Sequence, residues 1–499
     1  MNGRLSEIEF LKAKNGELTC SLSGRYFHSA YNPQKEAQTF CNSAVSPFTP
    51  SCIIIIEPAL SYCEKFLREK FPGAELIAVR LTHGFENYNG AWDKVFYFCD
   101  ERDFSQTLYG ALGEEKLLSS LLLIWTGSRA IFPAETEKAL EEIKKSILLS
   151  RDVISTRRHF SEKWFLNSVT FCRYVKNVKT VSKIKKDILI TASGPSLKSS
   201  IEKIKEFRDD FYLIALSSSV SVLVKNRIIP DMVLSTDGGF WAKKHLEFSK
   251  EDFSMLKDTV FAFTDEACCP KKILKNNRIF PLCYENSAGE KLFEKLNIPH
   301  SPALRNGTVS GTAAFLALAL TEKNIYFCGL DLSPAGGFQH TQPNRLELRA
   351  ENRDFRLNPK EKRQTLSRFN SAGALEIYRN WFKNQQPYFY GRIFRLSDHF
   401  NFSASLEPMA DKKWEDVSFC KTNGNSTFTE DFSVKTDTRK LLHCVEDVLK
   451  DEKIVRELFP LESLLIKRET DLPKRQELEK SLETQLEHLK QKCMGILNV

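Results

Sequence analysis

What most constrains this chain is an alternation along its middle. Short, almost wholly apolar runs each end in a cluster of Gly, Ser, Thr or Asp, and each is followed by a stretch with helical spacing. Asp187 to Thr191 reads as a strand, Ser199 to Phe207 as an amphipathic helix and Phe211 to Leu216 as the next strand. Val220 to Asn226 reads as a short helix, and Met232 to Ser235 and Thr259 to Phe263 as further strands. Gly311 to Leu320 is an Ala/Leu helix and Asn324 to Leu330 another strand. Repeated strand–helix alternation predicts an α/β, Rossmann-like, doubly wound parallel sheet whose ligands gather outside the carboxyl ends of its strands.

At 499 residues the chain is long enough for about three domains of ~100–200 residues each. We expect an N-terminal α/β domain over 1–150, the central Rossmann-like domain over 151–405 and a C-terminal helical domain over 406–499. In the first, Cys52 to Glu57 is a β-branched run typical of a buried parallel strand. A helix over Ala59 to Phe71 follows, then a strand over Ala74 to Val79. A helix from Ala134 to Leu149 carries Ala139, Leu140, Ile143 and Ile147 on one stripe. In the last, Asn423-Gly424-Asn425-Ser426 reads as a loop. Leu478, Leu482, Leu486 and Leu489 line one helix face. That stripe suits a helical hairpin, a short coiled coil that makes an oligomer, or packing onto its own domain.

Composition removes several function classes. With 42% hydrophobic and 27% charged residues the chain is neither disordered, collagen-like nor a disulfide-stapled mini-protein. Lys and Arg number 72 against 64 Asp and Glu. Over this length, the net +8 is a mild bias and not the dense basic face of a nucleic-acid binder. Anionic small molecules fit it as partners. Thirteen cysteines at scattered spacings, without a CxxC pair, suit reduced thiols in a cytoplasm. The opening MNGRLSEIEF has no apolar signal core, and runs such as Cys52 to Ile56 fall far short of the ~18 residues a span needs. Cytoplasmic location without membrane insertion is the expectation.

Five clusters could carry chemistry. Ser193-Gly194-Pro195-Ser196 sits between a strand and a helix, where helix N-terminal amides attract phosphate; an ordinary strand-to-helix turn fits equally. Ser217-Ser218-Ser219 ends the next strand and either lines a polar pocket or caps a helix. Asp237-Gly238-Gly239 tops the third strand. Its carboxylate suits a ribose, a sugar hydroxyl or Mg²⁺, and a plain Asx turn as well. The run Arg305-Asn306-Gly307-Thr308-Val309-Ser310-Gly311-Thr312 leads into the Ala/Leu helix and offers amides and hydroxyls to an anion. Asp331 closes the last strand. Beyond it, after Gly336 and Gly337, His340 is the titratable group best suited to acid–base work near neutral pH, although a loop histidine is more often a surface residue. All five lie at strand-to-loop transitions of one expected sheet, so one shared pocket is the economical reading.

In that order the segments ASGPSL, IIPDMVLSTDGG, NGTVSGTAAFLALAL and FCGLDLS with GGFQHT resemble the bacterial motility accessory factor (Maf) family of flagellin glycosyltransferases. The central domain also resembles the archaeal hydroxymethylpterin pyrophosphokinase, MptE. Ile229-Pro230-Asp231, Asp237, Asp331 and His340 take the family's places, and the likeness extends weakly to Tyr26 through Pro33. Two motifs depart. The first domain's Gly-Leu-Gly-Tyr turn appears as Ala59-Leu60-Ser61-Tyr62, without its glycines, and is not expected to hold a phosphate closely. Gly-Gln-Asp-Leu reads Gly329-Leu330-Asp331-Leu332.

The resemblance implies a sialyltransferase-like central fold. It also implies transfer of a pseudaminic- or legionaminic-type nonulosonic acid from a CMP-activated donor to Ser or Thr of flagellin, for flagellum assembly and motility. It places donor binding at Ser193, Gly194, Pro195, Ser196, Ser217, Ser218, Asp237, Gly238, Asn306, Gly307, Thr308, Ser310 and Asp331. Catalysis falls to His340, with Asp237 and Asp331 orienting the donor. No resident cofactor or metal site is implied, and a divalent metal is compatible but not required. Two alternatives stay open: a Mg²⁺-dependent pyrophosphokinase of the hydroxymethylpterin type, and a non-catalytic nucleotide-sugar-binding flagellar accessory protein.

Overall fold

The computed structural model describes residues 8–101, 103–333, 340–348, 355–357, 359, 362, 375–396, 405–419 and 427–498. Gly336 to Gln339 and the loop expected at Asn423 to Ser426 lie outside them. Two compact units emerge: residues 1–159 with 458–486, and residues 160–457 with 487–499. Residues 406–499, read from the sequence as one helical domain, fall partly in each.

The first unit holds a three-stranded antiparallel sheet, β1 (Glu9–Lys12), β2 (Leu18–Leu22) and β3 (Arg25–Tyr26). It also holds a four-stranded parallel sheet of β4 (Cys52–Ile56), β5 (Glu75–Arg80), β6 (Lys94–Tyr97) and β7 (Ser120–Ile124), in the order β6-β5-β4-β7. Successive strand side chains point to opposite faces, so an uninterrupted apolar run needs cover on both. That is what β4 has: Cys52, Ile54 and Ile56 join one core with Val79 and Ile143, while Ile53 and Ile55 join another with Leu76 and Trp125.

The helix expected from Ala59 begins only at Cys63. Before it, Glu57, Ala59 and Ser61 take left-handed backbone angles, with φ of 44°, 44° and 63°. A buried network holds this turn. Arg80 pairs with Glu57 at 2.9 Å and also donates to the Ala59 carbonyl and the Ser61 hydroxyl. His28 Nε2 accepts the Leu60 amide at 3.0 Å. The turn thus keeps a glycine-like backbone without glycines.

The second unit is built on an eleven-stranded sheet. Its strands are β8 (Asn177–Ile184), β9 (Asp187–Thr191), β10 (Phe211–Leu216), β11 (Met232–Ser235), β12 (Val260–Thr264), β13 (Arg278–Tyr284), β14 (Ser301–Ala303), β15 (Ile325–Cys328), β16 (Ile393–Leu396), β17 (Asp411–Lys412) and β18 (Thr427–Ser433). The order is β17-β16-β15-β9-β10-β11-β12-β13-β8-β18, with β14 also on β13. All pairings are parallel except β8 with β18.

β9, β10 and β11 run over the residues that the apolar pattern marked, because each is buried along its whole length. Between them run α1 (Leu197–Glu206) after β9 and α2 (Val220–Lys225) after β10, while α3 (Val309–Leu320) precedes β15. One face of the sheet packs Ile188, Ile190, Ile214, Leu234 and Ala262 against Ala313, Ala317 and Leu320 of α3. A helix apolar nearly all round belongs in such a core. The fold is thus the expected mixed α/β class, with a parallel-dominated sheet and helices toward the carboxyl terminus. No described helix is long and apolar enough to cross a membrane.

Candidate functional site

β15, β9, β10, β11 and β12 are neighbours and run parallel, so the loops after Cys328, Thr191, Leu216, Ser235 and Thr264 leave one sheet edge side by side. Four of the expected clusters thus share this edge, and the loop of Asn306 leaves it too, because it follows β14, which runs parallel beside β13. Thr191 and Ser219 join the first two loops through their hydroxyls, 3.0 Å apart.

The turn after β9 is locked to the loop after β15. Gly194 donates its amide to the Gly329 carbonyl at 2.8 Å. A Cβ on Gly194 would lie 2.4 Å from that same oxygen and 2.5 Å from Asp331 Oδ2, so only glycine fits. Asp331 is 1% exposed, and its Oδ2 accepts the Ser196 amide at 2.7 Å. One of the helix N-terminal amides assigned to phosphate thus already holds a carboxylate. Ser193, Ser196 and Ser217 are buried, while Gly194, Pro195 and Ser218 are half-buried.

His340 reaches this edge through its neighbour. Thr341 donates its amide to the Ser193 carbonyl at 2.7 Å and its hydroxyl to the Gly194 carbonyl. Asp237 is exposed and accepts the Gly239 amide at 2.6 Å, an Asx turn. Gly238 is buried against Trp164, and its carbonyl accepts Asn167 Nδ2 at 3.2 Å.

The loop before α3 is built around its helix cap. Thr308 caps the helix, its Oγ1 accepting the Gly311 amide at 2.8 Å. Asn306 Oδ1 accepts the Thr308 amide at 3.0 Å, which fixes the side-chain amide's orientation. Its Nδ2 is then a buried donor with no acceptor among the described residues. Gly307 takes φ of +74°, and Ser310 is buried.

Three further groups at this edge were not singled out from the sequence. His245 is 8% exposed. Burial above all, and the nearby His340, lower its pKa to about 4 against the opposing pull of Asp237. It lies in a short 3₁₀ segment with no periodicity to mark it. Glu266 is buried and forms a fork with Arg305, Nη1 to Oε2 at 2.9 Å and Nη2 to Oε1 at 2.6 Å. Asp265 is wholly buried, and burial with the neighbouring Glu266 charge raises its carboxyl well above the usual range. Both acids follow β12 as Asp237 follows β11, so position at a strand's carboxyl end was the available signal.

For metals, His83, Cys99 and Asp100 of the first unit bring ligand atoms within 4.8 Å of one another, all on exposed side chains. Among the described residues no such group includes Asp237 or Asp331.

Residues 163–336 match the family model for 6-hydroxymethylpterin diphosphokinase MptE-like domains. An uncharacterized protein of Treponema pallidum (strain Nichols) is 29% identical over 285 residues, covering 56% of this chain and 61% of that protein. A second from the same organism is 28% identical over 116 residues, covering 22% and 53%. The chain thus spans less than two thirds of the length of these curated relatives. Among solved structures it is similar to the Maf glycosyltransferase from Magnetospirillum magneticum AMB-1, with a TM-score of 0.52 at 13% identity, over 100% of this chain and 92% of that one. This likeness is one of fold.

Proposed function

We infer, from a Maf-type fold that carries an MptE-like domain, that the chain is a glycosyltransferase. Its donor is a CMP-activated nonulosonic acid, pseudaminic or legionaminic in type, and its acceptors are Ser and Thr hydroxyls of flagellin in the cytoplasm. The observation that carries the reading is Asn306 Nδ2, a buried donor without an acceptor among the described residues, beside the Thr308-capped start of α3. It lies at the same sheet edge as Asp237 and His340.

In this reading the first amides of α3 and Asn306 bind the CMP phosphate and stabilise the charge that grows on it as the sugar departs. The bond from the sugar's anomeric carbon to the phosphate oxygen breaks, and a bond from that carbon to the acceptor oxygen forms. His340 takes the hydroxyl proton. Ser193, Ser217 and Ser218 supply hydroxyls to the donor, and Asp237 an exposed carboxylate for a sugar or ribose hydroxyl. Asp331, spent on the Ser196 amide, is a positioning residue for the 194–197 turn.

The test is release of CMP from a CMP-nonulosonic acid with flagellin as acceptor, read beside the intact mass of flagellin from cells with and without the gene. His340→Ala is expected to lower kcat by about 10²–10⁴-fold, and Asn306→Ala to weaken CMP binding. Full activity in His340→Ala would remove it from the chemistry. ATP- and Mg²⁺-dependent diphosphate transfer without sugar transfer would replace this reading with the diphosphokinase one.

A further inference from the structure

The second unit has a cavity of about 560 Å³ at the opposite edge of the same sheet. Lys186 precedes β9, Phe211 opens β10 and Asp231 precedes β11, so the cavity faces the strands' amino ends. The candidate transferase site lies beyond their carboxyl ends, a strand length of roughly 17 Å away for five residues. Buried Tyr212 and Ile228 supply apolar lining.

Its charge is lopsided. Lys186, Lys205, Arg208 and Arg227 line it against Asp209 and Asp231, leaving a surplus of two positive charges. Arg208 is committed to the fold: it pairs with Asp231 at 3.0 Å and donates to the Ile229 carbonyl. Lys186 donates to the Asp209 carbonyl. Among the described residues Lys205 is paired with Glu202 alone, an exposed partner three residues away that a ligand readily replaces.

Arg227 is the informative residue. It follows α2, where its amide bonds the Val224 carbonyl at 2.9 Å and the Ile228 amide bonds the Leu223 carbonyl at 3.0 Å. That pattern is a Schellman motif, whose left-handed position glycine normally fills. Here arginine takes it with φ of 58°. The residue is exposed, and its guanidinium has no acceptor among the described residues. A strained backbone that presents an unpaired cation to a cationic cavity is a reason to look for a ligand.

We propose that this cavity is a second binding site, separate from the transferase centre, for a small phosphorylated anion carrying two or more negative charges. Arg227 and Lys205 are its principal contacts. Two surplus cations match a dianionic phosphate, and the guanidinium fork suits its oxygens. The site stands independently of the glycosyltransferase reading.

Inorganic pyrophosphate titrated calorimetrically into the full chain tests this. We expect saturable one-site binding that weakens with added salt, and at least a tenfold loss of affinity in the double variant Arg227→Gly, Lys205→Gln. Glycine suits the left-handed angle, so that variant keeps its fold, and its thermal midpoint should match or exceed that of the wild type. Absence of binding at millimolar pyrophosphate overturns the proposal, as does unchanged affinity in the double variant. Loss of binding in Asn306→Ala instead would place the anion at the carboxyl edge and overturn it equally. A lower midpoint with unchanged affinity would reduce Arg227 to a partner of the helix's carbonyl end.

Discussion

Gly194 and His245 show what single residues contribute at the carboxyl edge. A methyl on Gly194 meets the Gly329 carbonyl at 2.4 Å, and that oxygen belongs to the backbone of a neighbouring loop. Gly194→Ala should therefore cost about 1–3 kcal/mol in denaturant unfolding and displace the Ser196–Asp331 contact. A variant as stable as the wild type would show that the two loops separate easily. His245 bears on pH. Its folded pKa of about 4 lies below the ordinary 6.5, so unfolding takes up a proton between those values and stability falls as pH drops through that window. Between pH 6.5 and 5 the loss is about 2 kcal/mol. It should vanish in His245→Gln when the same titration is followed by urea unfolding. An undiminished slope in that variant would assign the loss to other groups.

At the scale of elements, what the sequence disclosed depended on burial. β9, β10 and β11 were legible residue by residue because parallel strands buried on both faces read as unbroken apolar runs. β13 was not, since Pro281 interrupts Arg278–Tyr284. The structure tolerates it because β8 pairs only Arg278 and Ile279, and β14 only Leu282 to Tyr284, which leaves proline in the gap where no amide is needed. β8 and β18 mix Lys, Thr and Glu and carry no such run. The clusters at strand ends were visible for the same reason as the strands. Glu266, and its pairing with Arg305, escaped because an ion pair 39 residues apart in sequence has no local pattern. For α3, Thr308→Ala removes the cap on the Gly311 amide. It should lower stability by about 1 kcal/mol and weaken CMP binding, with Thr308→Ser restoring both. Unchanged CMP affinity in Thr308→Ala would argue that the start of α3 does not touch the donor.

At the scale of the molecule, each compact unit is assembled from two separated stretches of chain. The first unit takes back residues 458–486, and specific contacts bind them there. The Thr49 amide donates to the Arg468 carbonyl at 3.1 Å, Lys467 pairs with Glu115 at 3.3 Å, and Arg158 pairs with Glu462 at 3.2 Å. A fragment of residues 1–159 should accordingly exchange its amide hydrogens faster and aggregate sooner than the same fragment fused through a flexible linker to 458–486. Equal protection in the two would make the returning segment dispensable. No periodicity within 1–150 announces a partner three hundred residues on, which is why this arrangement was invisible in the sequence.

The returning segment also sets a clock during synthesis. Roughly 300 residues separate the first stretch from its complement, and at ~10 residues per second the ribosome needs roughly half a minute to make them. For that interval the nascent first unit carries Glu115 and Arg158 without their partners, and the surface that 458–486 covers stays open to solvent and to neighbouring chains. Completion of the unit begun by residues 1–159 therefore waits on translation of 458–486, so a stop codon placed before that segment harms the earlier residues as much as those it removes.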